Sequence, residues 1–270
     1  MTYKAFAIDL DGTLLVGEEI PHENIEAVRE ADAAGVHVMI ATARWRHIAQ
    51  RIGKQMGLEN LVIACSGAQV FDTREETDIF DHRLSLPFTE ALFDICNEER
   101  CIATVTFDDD VRVKLEGEPN RALMDAEMSW VPSLSVEDGN LPRVAAVQGS
   151  GCVQRIRNEL EARFADTVNI FDSIGPTGKI ILTITAKQAT KGAALHAACD
   201  HLGIAAGDVV AFGDAENDLE MFRAAGASVA MGQADEATRA AATWTTRANH
   251  EAGVAHAIRQ LLHDGQVSVS

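Results

Sequence analysis

Two apolar runs near opposite ends of the chain each stop at a carboxylate. Phe6-Ala7-Ile8-Asp9-Leu10-Asp11-Gly12-Thr13 stands near the start, and Val209-Val210-Ala211-Phe212-Gly213-Asp214 repeats the theme late in the sequence. Runs this short and apolar read as strands buried on both faces, the condition of a parallel sheet covered by helices. Gly12 lets the backbone leave the first strand sharply. Asp9 and Asp11 then fall at a strand's carboxyl end, where open α/β sheets build their sites. Neighbouring acids repel unless a cation, a proton or buried donors compensate. A hard oxygen-seeking cation such as Mg²⁺ suits them. The plain alternative for a single D-x-D-G is a solvated Asp-Gly turn.

The segments around these runs alternate between helix and strand. Ile25, Val28 and Ala31 have helical spacing and end at Gly35, after which Val36 to Ala41 forms the next strand. Strand, helix and strand in this order make a right-handed crossover and a parallel pair. Thr42-Ala43-Arg44 is expected to close that strand and open a helix with Ile48, Ile52 and Met56 inward. Thr42 and the neighbouring N–H groups are then placed to hold a phosphate, or Thr42 is a simple N-cap. Leu61 to Cys65 is a third strand ending at Ser66-Gly67, followed by a hairpin of Ala68 to Phe71 with Ile79 to Asp81. Late in the chain, Thr190 is a candidate N-cap for a helix opened by Lys191-Gly192. A lysine there opposes the helix dipole unless an anion lies nearby; a surface lysine is the plainer reading. Ala215-Glu216-Asn217-Asp218 leads from the last acid-ended strand into another helix.

From about Leu84 the rhythm changes. A helix over Pro87 to Glu99 precedes short strands at Ile102 to Phe107, Val111 to Leu115, Arg143 to Gln148, Val168 to Phe171 and Ile180 to Thr185, with a helix marked by Val153, Ile156, Leu160 and Phe164. Asp108-Asp109-Asp110 separates the first two strands. This α+β pattern predicts a second domain over residues 83–187, inserted between core halves 1–82 and 188–270. The expected fold is α/β, a Rossmann-like mostly parallel sheet core with an inserted α+β domain. In Val111-Arg112-Val113-Lys114-Leu115, alternation puts the apolar side chains on one face. If helices cover that face, Arg112 and Lys114 look out, into a cleft or into solvent.

Composition narrows the function classes. The 270 residues are 47% hydrophobic, enough for a sizeable core, and carry 23 basic against 41 acidic residues, a net charge of −18. With no basic stripe to offset that field, a nucleic-acid or anionic-membrane partner is disfavoured. No apolar run approaches membrane-spanning length. The five cysteines form no C-x-x-C pair and read as reduced, mostly buried thiols of a cytoplasmic protein.

Four motifs now stand in order: Asp9-Leu10-Asp11-Gly12-Thr13, Thr42-Ala43-Arg44, Lys191-Gly192 and Gly213-Asp214-Ala215-Glu216-Asn217-Asp218. Together they resemble the haloacid dehalogenase-like (HAD) superfamily, and the large insert resembles the α/β cap of its Cof-type subfamily IIB. Val229-Ala230-Met231-Gly232 and the tail Asn249-His250-Glu251-Ala252-Gly253-Val254-Ala255 are similar to that group too. Two departures stand out. Ala43 replaces the usual glycine of the second motif, and Ser66 stands where the family often has asparagine.

The resemblance implies a phosphatase for a small phosphate monoester, with sugar phosphates the best substrate class. Asp9 is the implied nucleophile, forming an aspartyl-phosphate, and Asp11 the implied general acid/base. Mg²⁺ is implied at Asp9, the Asp11 backbone carbonyl, Asp214 and Asp218, with Asn217 near it or on the phosphate. Thr42, Ala43 and Lys191 are the implied phosphate ligands. A phosphomutase of the same fold and a non-catalytic phosphometabolite-binding protein are the alternatives; placing Asp11 beside Asp9 favours catalysis. The partner expected is a small phosphorylated metabolite, and the chain a monomer or homodimer.

Overall fold

In the computed structural model, which describes residues 2–108, 110–117, 124, 127–137, 139–174 and 178–267, the opening apolar run forms β1 (Ala5–Ile8), buried at every position. Helix α1 (His22–Ala33) and β2 (His37–Ala41) follow, then α2 (Arg46–Met56), β3 (Leu61–Ala64), β4 (Gln69–Asp72) and β5 (Thr77–Asp81). The middle of the chain holds α3 (Leu86–Glu98), β6 (Ile102–Thr106), β7 (Val111–Lys114), β8 (Met128–Trp130) and β9 (Val144–Gln148). It continues with α4 (Ser150–Arg155), β10 (Val168–Ile174) and β11 (Ile180–Ala186). The last part has α5 (Lys191–Leu202), β12 (Val209–Gly213), α6 (Leu219–Ala224), β13 (Ala227–Ala230), α7 (Glu236–Ala241), β14 (Trp244–Thr245) and α8 (Gly253–His263). The chain divides into two units, Met1–Phe80 with Thr190–Ser270, and Asp81–Ala189.

The first unit is built on the sheet β14-β13-β12-β1-β2-β3-β4-β5. From β14 to β3 the strands pair in parallel, and β4 returns antiparallel to β3. Ile8 lies opposite Phe212 on one side and Ile40 on the other, so β12, β1 and β2 end side by side. One face of the sheet carries Ala5, Ala7, Met39, Ile63 and Ala211, packed with Ala194, Leu195 and Ala198 of α5 and Met221 and Phe222 of α6. Phe6, Ile8, Val38 and Ile40 alternate with these and are also buried. Alternation thus leaves both faces covered, which explains why these strands read as unbroken apolar runs. Helices α1 and α8 pack together through buried Asn24, whose amide donates to Leu14 O while its carbonyl accepts from Ala255 N.

The second unit is the sheet β10-β11-β9-β6-β7-β8, antiparallel except for β7 beside β8. Its core joins Ala103, Val105, Phe107, Ala145, Val147, Leu182 and Ile184 to Phe88 and Leu92 of α3. Val153 of α4, Ile156 and Leu160 of the π-helical segment Ile156–Glu161 that prolongs it, and Phe164 just beyond complete it. Of the acidic run between β6 and β7, Asp109 lies outside the described residues.

The expected orientation of β7 is corrected here. Arg112 pairs with Val105 and Lys114 with Ala103, so both basic side chains share the face that carries the helix-covered core. Arg112 stacks its guanidinium 4.7 Å from the Phe107 ring centre and pairs with Asp110 and Glu137. Lys114 is buried, with Nζ 3.3 Å from Glu99 O. Near the sheet edge long basic side chains lie along apolar surface by their stems. Alternation alone fixed which residues share a face, not which face is covered.

Candidate active site

The adjacent ends of β1 and β12 bring Asp9 and Asp214 together, and α5 supplies a cation between them and Asp218. Lys191 Nζ lies 2.5 Å from Asp9 Oδ1 and 2.6 Å from Asp218 Oδ1. Lys191 is 2% exposed, Asp9 5% and Asp218 0%, so the network is shielded from bulk water. Thr190 N-caps α5 by accepting from Ala193 N at 3.1 Å, which fixes Lys191 in the first turn. The dipole cost of a lysine there is offset by two carboxylates at ion-pair distance.

Asp218 does two jobs. Its Oδ2 accepts from Asp214 N at 3.0 Å and Ala215 N at 3.2 Å, folding the β12–α6 turn around one buried carboxylate. Its Oδ1 faces Lys191. Gly213 makes room for this: a Cβ there would overlap the Asp218 carboxylate. At Gly12, φ is +79° and a Cβ would strike the Asp214 carboxylate, so both conformation and space demand glycine. Thr13 donates its hydroxyl to Asp214 Oδ1 at 3.1 Å.

The electrostatics leave this cluster short of positive charge. Carboxylate oxygens of Asp9, Asp214 and Asp218 lie within 4.8 Å of one another, against the single ammonium of Lys191. Burial, opposed by Lys191 and reinforced by Asp218 and Asp214, raises the Asp9 pKa well above the ordinary carboxylate value. Burial and then the Asp218 charge raise Asp214 to about 6. Lys191 is held protonated: burial alone would lower its pKa, but Asp218 and Asp9 outweigh it and the net shift is upward. Three acids against one ammonium, all oxygen donors, fit a divalent hard cation.

Asp11 takes a different direction. Its half-exposed carboxylate is gripped by Arg44, with Nη2 2.6 Å from Oδ1 and Nε 2.9 Å from Oδ2, while the same guanidinium reaches Glu18 at 2.7 Å. In the sequence Arg44 is visible only as part of a motif; the parallel adjacency of β1 and β2 brings it near Asp11, and the contact itself depends on its reach. Thr13 likewise is visible only as part of the first motif.

Thr42 sits at the end of β2, fully buried, and its hydroxyl accepts from Arg44 N at 3.0 Å. It does not open a helix, as the sequence led one to expect: α2 begins at Arg46 with Trp45 at the N-cap position. Ala43 is exposed and is not among the residues with positive φ, so this turn does not require glycine there. Ser66 has φ 58° and ψ 28°, a left-handed conformation that asparagine also adopts readily. Asn217 is half-buried in the 3₁₀ turn Glu216–Asp218, outside the Lys191 bonds. The structure thus brings together Asp9, Lys191, Asp214 and Asp218, and places Asp11 on Arg44.

Comparison with known proteins gives this geometry a family. The model of haloacid dehalogenase-like hydrolases matches residues 6–258. The chain is 31% identical over 261 residues to the 5-amino-6-(5-phospho-D-ribitylamino)uracil phosphatase YcsE of Bacillus subtilis, covering 95% of this chain and 94% of that one. It is 28% identical over 267 residues to the phosphoglycolate phosphatase of Methanosarcina acetivorans, covering 99% and 100%. A solved HAD subclass IIB sugar phosphatase superposes with a TM-score of 0.79 at 25% identity, over 98% of this chain and 100% of its own. The chain belongs to the haloacid dehalogenase-like hydrolases.

Proposed function

We propose that the protein is a Mg²⁺-dependent phosphatase that hydrolyses a small phosphate monoester, a sugar phosphate or related metabolite, through an aspartyl-phosphate on Asp9. The observation that carries this reading is the buried cluster in which Lys191 bridges Asp9 and Asp218 beside Asp214. Relatives along nearly the whole chain act on phosphate monoesters of small molecules, which supports the substrate class.

Asp9 is the nucleophile. Lys191 holds its Oδ1, which leaves Oδ2 to approach phosphorus in line with the leaving oxygen. Asp11 is the general acid for the leaving alcohol and then the base for water, since both occupy the same apical region. Arg44 orients Asp11 between these roles. Asp9, the Asp11 carbonyl and Asp214 would hold Mg²⁺, with Asp218 ordering the turn that presents Asp214. Bound there, Mg²⁺ would neutralise phosphoryl charge and let an anionic ester approach the Asp9 carboxylate. Lys191 and the backbone around Thr42 and Ala43 bind the transferring phosphoryl group, with Asn217 at its periphery.

A panel of phosphorylated metabolites assayed for phosphate release tests this reading. EDTA should abolish turnover and Mg²⁺ restore it, while Ca²⁺ supports little because its looser coordination disturbs in-line geometry. Full turnover in metal-free buffer, or no release from any phosphate ester with Mg²⁺ present, would overturn it.

A further inference from the structure

The second unit holds a side-chain cluster that phosphate-ester hydrolysis does not use. Cys96 near the end of α3, Cys101 just before β6 and Cys152 in α4 are free and fully buried. Their sulfurs lie within 4.8 Å of one another, and those of Cys96 and Cys152 are 3.8 Å apart. Gly149, at φ +142°, starts α4 directly against the Cys101 backbone, where a Cβ would be crowded at 3.1 Å. This close approach carries Cys152 to the other two.

Lys114 enters the same place from β7. It is buried, its Nζ is 4.0 Å from Cys101 Sγ, and among the described residues no carboxylate pairs with it. A buried ammonium is stabilised when an anion lies beside it. Beside Nζ, the Cys101 thiol is a group that becomes an anion when it gives up its proton.

We propose that Cys96, Cys101 and Cys152 form a binding site for a thiophilic d¹⁰ cation, Cu⁺ or Zn²⁺. Metal–sulfur bonds run to about 2.3 Å, so sulfurs around one such ion stand roughly 3.8–4.0 Å apart. The Cys96–Cys152 separation already matches that span. The donor set is all sulfur, which selects soft cations and rejects Mg²⁺ and Ca²⁺. Each thiol gives up one proton on coordination. Three thiolates and the Lys114 ammonium then carry a net charge of −2, which Zn²⁺ neutralises and Cu⁺ halves. An open cleft of about 710 Å³, lined in part by Arg100, Gly149, Ser150 and Val153, lies beside the segments that carry Cys101 and Cys152.

The test uses the full chain, reduced and anaerobic, with excess Mg²⁺ present so that the carboxylate cluster does not take up the added metal. Cu⁺ and Zn²⁺ are added in separate arms and followed by native mass spectrometry and X-ray absorption. The expected result is one ion per chain in at least one arm, with three sulfur neighbours at about 2.2–2.3 Å. Cys101→Ser should weaken that binding at least tenfold, and Cys65→Ser and Cys199→Ser should leave it unchanged. If Cys101→Ser does not fold, Lys114→Met serves instead: it keeps all three thiols and should weaken binding by withdrawing the charge beside Cys101. Retention of neither ion by the wild-type chain, a shell of oxygen or nitrogen neighbours, or undiminished binding in the variant that folds would overturn the proposal.

Discussion

Lys191 is the residue on which the carboxylate cluster depends. Its ammonium lies between Asp9 and Asp218, and it is almost wholly buried. Lys191→Met keeps the bulk and removes the charge, leaving buried carboxylates uncompensated. Breaking a buried pair this way costs about 3–5 kcal/mol, which urea unfolding of the metal-free protein measures; added Mg²⁺ should recover part of the loss. A variant as stable as the wild type would mean the ammonium is not the compensating charge. Asp11 and Arg44 are argued at the same scale. Asp11→Asn should lower turnover by about 10²–10⁴-fold, the usual worth of general acid–base help. Arg44→Ala should lower it less, because the proton carrier remains and only its orientation is released. Steady-state kinetics on one preferred ester orders the three proteins.

At the scale of elements, α5 and the β12–α6 turn present the site, and each has a replaceable anchor. Thr190→Ala removes the cap on Ala193 N and should cost about 1 kcal/mol of stability by urea unfolding. Much of this architecture was legible in the sequence, for a physical reason. Strands buried on both faces write themselves as apolar runs, so β1, β2, β3 and β12 were visible, and acids at their ends pointed to a site at Asp9 and Asp214. What depended on pairing was not visible. The register of β6 with β7 decides that Arg112 and Lys114 lie on the helix-covered face, and nothing in the alternation of Val111 to Leu115 records it. The start of α2 is not legible because Thr42 bonds its hydroxyl to Arg44 N in a tight turn and so mimics an N-cap three residues early. The grip of Arg44 on Asp11 and the two-sided use of Asp218 depend on side-chain reach, which spacing does not encode.

At the scale of the whole molecule, acid stability can be argued from one buried ion pair. In the second unit, buried Arg143 binds Asp81 Oδ1 at 2.7 Å, and Arg83 binds the same carboxylate at 2.8 Å. Burial alone would raise the Asp81 pKa; the bonds from Arg143 and Arg83 outweigh it and hold it below the ordinary value. A carboxyl with a lowered folded pKa stabilises above its unfolded pKa, about 3.9, and that stability is lost as pH falls through the folded value. The second unit should therefore weaken below about pH 4, and Asp81→Asn should flatten that dependence. Trp130 fluorescence, with Trp45 and Trp244 changed to Phe, reports it; an unchanged acid limb in Asp81→Asn would refute the linkage. The proposed phosphatase rests most directly on Asp9 as the atom that accepts the phosphoryl group, and one measurement reaches it. With a nitrophenyl phosphate, whose leaving group needs little protonation, Asp11→Asn should slow water attack more than phosphoryl transfer and accumulate phosphoenzyme. Acid quench and peptide mapping should find the phosphate on Asp9, and Asp9→Asn should give neither phosphoenzyme nor turnover above background. A phosphate on another residue, or near-normal turnover by Asp9→Asn, would contradict the account.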